Sequence, residues 1–435
     1  MAAGARWWMC LCVTIAAAAA AAAEDAPGYM KPFSDEELAR PHVSARGLPM
    51  PDAFVDGSWG SIVAASDGRT YFTVASHSPE HNGQFYCYDP VQDRIARVSD
   101  LGEWPEPDPE RASAGVASGI FEAGGVLYMA ACPVLRAAEN SPVRGWFLSY
   151  DLKTGRRERL APLPPNRGGR PTVLLEPVLR RLYVLLNGRQ VLAFCDLATR
   201  QVTVVGSIED DPDICPTLIA DERGTVLGST WGGVIFRYDP AARQMGCLLT
   251  RLPSDPNAPQ PRQDASSLAW RATRWGPMLW DAQSRWFYGV RANDEYLFRL
   301  RAPEPAGHRA QVEGMAQIGF RPSDVQPRYA GLGLALRGRT LYYCSYPLWQ
   351  PEAHLVACDL ETLKVRDLGP IVADGRRRVS EIHSLAVGSD ALLHAVAMVW
   401  SLEGQDPANG WAVRADCYYH ARLLKIDPDR DFQNE

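Results

Sequence analysis

Short runs of apolar residues, separated by turn chemistry, recur along the chain from about Ser58 to Asp429, and no stretch carries the 3.6-residue period of a long amphipathic helix. One kind of run closes on an Asp, usually after an aromatic residue or Cys. It occurs at Gln84–Pro90, Trp146–Leu152, Val191–Leu197, Val234–Pro240, His354–Leu360 and Arg422–Pro428, with a degenerate copy at Tyr296–Ala302. Ahead of each copy lies a second run, beginning at Arg69, Val126, Arg181, Thr225, Arg285, Thr340 and Ala391. A third precedes that one, starting near Trp59, Val116, Pro171, Pro216, Trp275, Ala330 and Ile382. Ser66-Asp67-Gly68, Gly124-Gly125 and Arg337-Gly338 supply turns between first and second runs. Each unit therefore reads as four short antiparallel strands, and the unit occurs seven times. Neighbouring markers lie between 43 residues apart (Asp196 to Asp239) and 68 apart (Asp359 to Asp427).

Four-stranded units at such a period predict an all-β, seven-bladed β-propeller. The last unit runs out of chain, because only Asp429 to Glu435 follow Arg422–Pro428. A three-stranded blade would leave an unpaired edge, so residues near His42–Leu48 are expected to supply the missing outer strand and close the ring. The expected organisation is 1–23 leader, 24–56 N-terminal segment with the ring-closing strand, 57–429 propeller and 430–435 tail.

The leader is read from Met1–Ala23: one early charge at Arg6, an uncharged Ala-rich run from Trp7, and small residues before Glu24. That is the pattern of a secretory signal peptide, which places the mature chain outside the cytoplasm, secreted or periplasmic, with no stable membrane span. Eight cysteines follow the leader, without a CxxC pair. Disulfides are permitted in such a compartment, but Cys87, Cys195 and Cys358 sit in apolar runs and read as small buried hydrophobes. The 45 basic and 51 acidic residues give a net charge of -6, which provides no general field for nucleic acid.

The chain resembles the seven-bladed β-propeller superfamily over nearly all of its mature length. The phrase Ser66-Asp67-Gly68-Arg69-Thr70-Tyr71-Phe72, followed by a strand ending in Tyr88-Asp89-Pro90, is similar to blades of secreted bacterial propellers, including polysaccharide lyases of the oligogalacturonate and ulvan type. The resemblance implies a carbohydrate-active protein that cleaves a uronate glycan by β-elimination, with an anionic polysaccharide or oligosaccharide as partner and a monomeric state. The alternative is a non-catalytic envelope propeller that binds glycan or protein.

Propeller geometry says where a site belongs. Inner strands line the axis, and the loops joining second to third strands meet the inter-blade connections on one face. Six of the eight histidines (His77, His81, His354, His383, His394 and His420) fall in the sixth, seventh and first units, which ring closure makes neighbours. Converging imidazoles suit a divalent metal or proton transfer. His394, mid-strand among apolar residues, reads instead as a hydrogen-bonded core residue. The expected roles are His77 and His383 as base or metal ligand, Tyr346 as acid, Arg274 and Arg328 on the uronate carboxylate, Trp349 stacking on sugar, and His81 and His420 as further substrate contacts.

Overall fold

A computed structural model describes residues 32–429, apart from positions 53, 56 and 59 and the stretches 76–80, 105–113, 116–118, 134–144, 166–170, 187–190, 209–214, 231–232, 254–274, 292–294, 305–306, 317–327, 348–351, 402–410 and 415–416. The expected leader, Met1–Ala23, lies outside these residues. Nearly all regular structure is antiparallel β-sheet arranged as a propeller, and the one α-helix among the described residues, Asp35–Leu38, is a single turn held by a Ser34–Glu37 capping box.

Burial follows strand position. In the third blade the second strand, Arg181–Leu186, is buried along almost its whole length, whereas the outer strand, Val202–Ser207, is half solvated. A strand sandwiched between neighbouring blades must be apolar on both faces, and an outer strand on fewer. Apolar clusters fill successive junctions round the ring. Phe85, Trp104, Leu127 and Leu148 join the first and second blades, Leu182 and Val184 pack with Phe147 between the second and third, and Phe236 packs with Tyr183 and Trp275 across the third to fifth. Val55, Phe72 and Tyr86 meet Val396 and Leu423, which closes the ring.

The recurring Asp has a physical explanation. In the turn after the third strand its carboxylate accepts backbone N–H groups two and three residues ahead. Asp196 accepts from Ala198 at 3.0 Å and Thr199 at 2.9 Å, and Asp89, Asp151, Asp239 and Asp359 repeat the arrangement. Where Arg301 replaces Asp, its guanidinium instead packs on the Trp286 ring at 4.2 Å and donates to the Ser284 and Arg285 carbonyls.

Ring closure by the N-terminal strand holds: Val43–Pro49 pairs antiparallel with the last strand, Cys417–Ile426, with Ala45 opposite Ile426. The count of seven separate blades requires correction. Five blades stand as separate sheets, whereas the strands of the sixth and seventh units form one nine-stranded sheet with the N-terminal strand. The cause is the connection between them. Strand Val365–Ala373 turns back at Asp374-Gly375, both with positive φ (48° and 83°), and pairs with Arg377–Val387 through Val372–Arg378. Positive φ at both positions is the geometry of a type I′ hairpin turn, and the Arg376 N–H closes it on the Ala373 carbonyl at 3.2 Å. Val43 also pairs parallel with Ile371, so the outer strands are stitched together as well.

Candidate functional site

The inner strands are rich in branched and aromatic residues, and where they meet they line a half-open pocket of about 430 Å³ on the axis. Its lining comes from every inner strand and includes Ile62, Phe121, Val173, Leu218, Trp280 and Leu334. Among the described lining residues none is ionisable, and only Thr217 and Trp280 carry a polar side-chain N or O. Trp280 and Phe287 form a tilted aromatic pair with ring centroids 4.7 Å apart. Gly333 is required at the wall: a Cβ there would stand 2.5 Å from the Leu385 backbone nitrogen, so the inner strands of the sixth and seventh units could not come this close.

Titratable chemistry collects elsewhere, where the chain ends meet. His354, the first residue of its strand, has Nδ1 2.9 Å from Asp367 and Nε2 3.4 Å from Glu352. Glu352 also faces Arg378 at 3.5 Å, and the hydrogen bond from His354 holds its carboxyl below the usual range. Arg378 is buried, lies 4.0 Å over the Phe33 ring and pairs with Glu37 at 2.5 Å. The Ser34 backbone N–H, aided by Arg378, lowers the Glu37 carboxyl to about 2.

His383 sits at a register irregularity of its inner strand, with Nε2 3.0 Å from Glu381 and little exposure. The adjoining Ser384 hydroxyl accepts the Gly60 and Ser61 N–H groups and meets the Ser58 hydroxyl at 2.8 Å, which ties the inner strand to the first blade. His81 stacks on Phe54 at 4.3 Å. His420 lies opposite Val399, and burial, then Arg422 and Arg377, push its imidazole towards the neutral form. Arg328 and Tyr346 are described by backbone alone: Arg328 stands opposite Pro347, and Tyr346 opposite Tyr329, one register step away. His77, Arg274 and Trp349 lie outside the described residues.

His394 is fully buried, bonded through Nδ1 to Thr70 Oγ1 at 2.8 Å and through Nε2 to Asp390. Burial outweighs Asp390 and lowers its pKa. Among the described residues no group of three or more His, Cys, Asp or Glu could hold a metal. The seven described cysteines are free thiols, and burial raises those of Cys87, Cys195 and Cys358 to about 11.

The sequence reading missed the axial cavity and the Arg378 cluster. The apolar inner-strand runs signalled the first. Nothing local to Phe33–Glu37 pointed to the second.

The fold defines the class, a β-propeller. No protein-family model matches the chain, and no curated protein matches it in sequence. Solved structures do. It is similar to U3-55K (TM-score 0.52, 11% identity, 88% of this chain and 98% of that one). It is similar to the periplasmic gluconolactonase PpgL of Pseudomonas aeruginosa (TM-score 0.51, 14% identity, 85% and 96%). It is also similar to YCF48 from Cyanidioschyzon merolae (TM-score 0.50, 10% identity, 89% and 99%). Likenesses at these identities carry the fold alone; they lend the lyase resemblance no support. No helix among the described residues is long and apolar enough to cross a membrane.

Proposed function

We propose that this protein is an exported propeller that works by holding a ligand at the ring axis rather than by cleaving a polymer. The observation that carries this reading is the make-up of the axial cavity. A uronate carboxylate moved there from water would face no cationic side chain among the described lining residues, and an uncompensated buried charge is costly. The volume falls in the range of small-molecule sites, about 300–1,000 Å³. The export half of the reading rests on the Met1–Ala23 pattern.

A second reading keeps the uronate lyase, with His383 as base, Tyr346 as acid and Arg328 on the carboxylate. It is supported by the register that sets Arg328 and Tyr346 on paired strands, and by His383 beside Glu381 on the next inner strand. One experiment separates the two. Purified protein, His383→Ala and Tyr346→Phe are incubated with a panel of uronate polysaccharides, and the ultraviolet absorbance of unsaturated product is followed. No product from any of the three is expected. Product from the parent protein that both substitutions abolish would establish the lyase and overturn the binding reading.

A further inference from the structure

Resting on the axial-binding reading, we infer that the cavity takes a small uncharged molecule with a ring-bearing apolar body, aromatic or polycyclic, carrying at most a few hydroxyl or carbonyl groups. Three observations converge on this class. The lining side chains are aliphatic or aromatic, with Phe121 and the half-buried Trp280 contributed by the second and fifth blades. Flat aromatic walls favour flat partners, which stack offset or edge-on.

Water is a poor occupant of such walls. At about 30 Å³ per molecule, and roughly three hydrogen bonds each, water filling 430 Å³ would find only the Thr217 hydroxyl and the Trp280 indole N–H among the lining side chains and would have to draw on backbone groups for the rest. Apolar cavities far smaller than this one stay dry and bind benzene. What hydrogen bonding the walls add comes from the inner strands, whose axis-facing edges pair with no further strand except at Arg377–Arg378 of the seventh unit. Those edges offer N–H and C=O groups that match a hydroxyl or carbonyl on the ligand and do nothing to neutralise a charge.

The test uses three probes on the full chain. They are N-phenyl-1-naphthylamine, which is neutral; 1-anilinonaphthalene-8-sulfonate, which adds a charge to the same ring body; and trigalacturonate. The expected result is 1:1 binding of the neutral probe with quenching of Trp fluorescence, at least about tenfold weaker binding of the sulfonate, and none of the trigalacturonate. Ala220→Phe, which puts a ring into the void, should abolish binding. Trp280→Ala should weaken it roughly three- to tenfold through the lost stacking, and it carries the test if Ala220→Phe does not fold. Trigalacturonate bound at the axis and displaced by Ala220→Phe would overturn the ligand class and leave axial binding standing. Neutral-probe binding that neither substitution alters would overturn the class and the axial reading together.

Discussion

The junctions among the third, fourth and fifth blades and the seam where the chain ends meet combine apolar packing with directional bonds, but across very different chain separations. In the first region Leu227, Phe236 and Trp275 pack in a continuous apolar cluster, rimmed by direct bonds between neighbouring blades such as Trp275 Nε1 to the Thr217 carbonyl at 2.8 Å and Arg237 to the Gly307 carbonyl at 2.8 Å. At the seam the contacts are directional. Asp374 accepts the Gly47 N–H at 2.7 Å and pairs with Arg422, Lys425 reaches Asp93 and Asp390, and Arg378 bridges Glu37 and Glu352. Neighbouring blades are close in sequence, so their burial closes only short loops. Gly47 and Asp374 are 327 residues apart, and the closure entropy grows with that separation. Alternating burial of Val43 and Ala45 sets the register of the added strand, and the charged and hydrogen-bonded pairs reinforce it.

Substitutions in the two regions test this contrast. The largest effect belongs to the apolar region: Phe236→Ala should cost about 3–5 kcal/mol in denaturant unfolding, since Phe236 is fully buried against Gly228. At the seam, Arg378→Ala should cost about 1.5–3 kcal/mol, because Glu37 and Glu352 stay behind without their cation. Arg378→Lys should recover only part, as an ammonium cannot stack flat on Phe33 or fork to two carboxylates. A seam loss larger than the Phe236 loss would reverse the comparison. Removing one turn carboxylate, Asp196→Ala, should cost about 1 kcal/mol and leave other blades' amide exchange protection unchanged.

The smallest effect is Glu37→Gln, under about 1 kcal/mol at pH 7 for a partly exposed pair. Its sign with pH is fixed. The folded-state pKa of Glu37 lies below its ordinary 4.5, at about 2, so its contribution is complete above 4.5 and fades as pH falls towards 2. The difference in melting temperature between parent and Glu37→Gln should shrink across that window. A difference that is constant from pH 7 to 2 would remove the carboxylate from the latch.

How much was legible follows the same division. The marker Asp could be seen because one carboxylate performs one local task in turn after turn, and the ring-closing strand because a three-stranded blade leaves an edge. The merging of the sixth and seventh units was also written locally, in Asp374-Gly375, a strong hairpin signal, yet the repeat pattern outweighed it and placed a blade boundary there. The Arg378 cluster was beyond sequence reading, because it joins Phe33 and Glu37 to residues more than 300 positions away through side-chain direction. The histidines were legible as a group in the ring, but their individual anchoring to Glu381, Asp367, Asp390 and Phe54 was not.

The pairing of Ala45 with Ile426 has a consequence for biogenesis. An early segment must wait for its antiparallel partner until the chain has been delivered through Ile426, so the ring cannot lock before then. A polypeptide built this way gains its last rigidity only in that final pairing, a timing written into its topology.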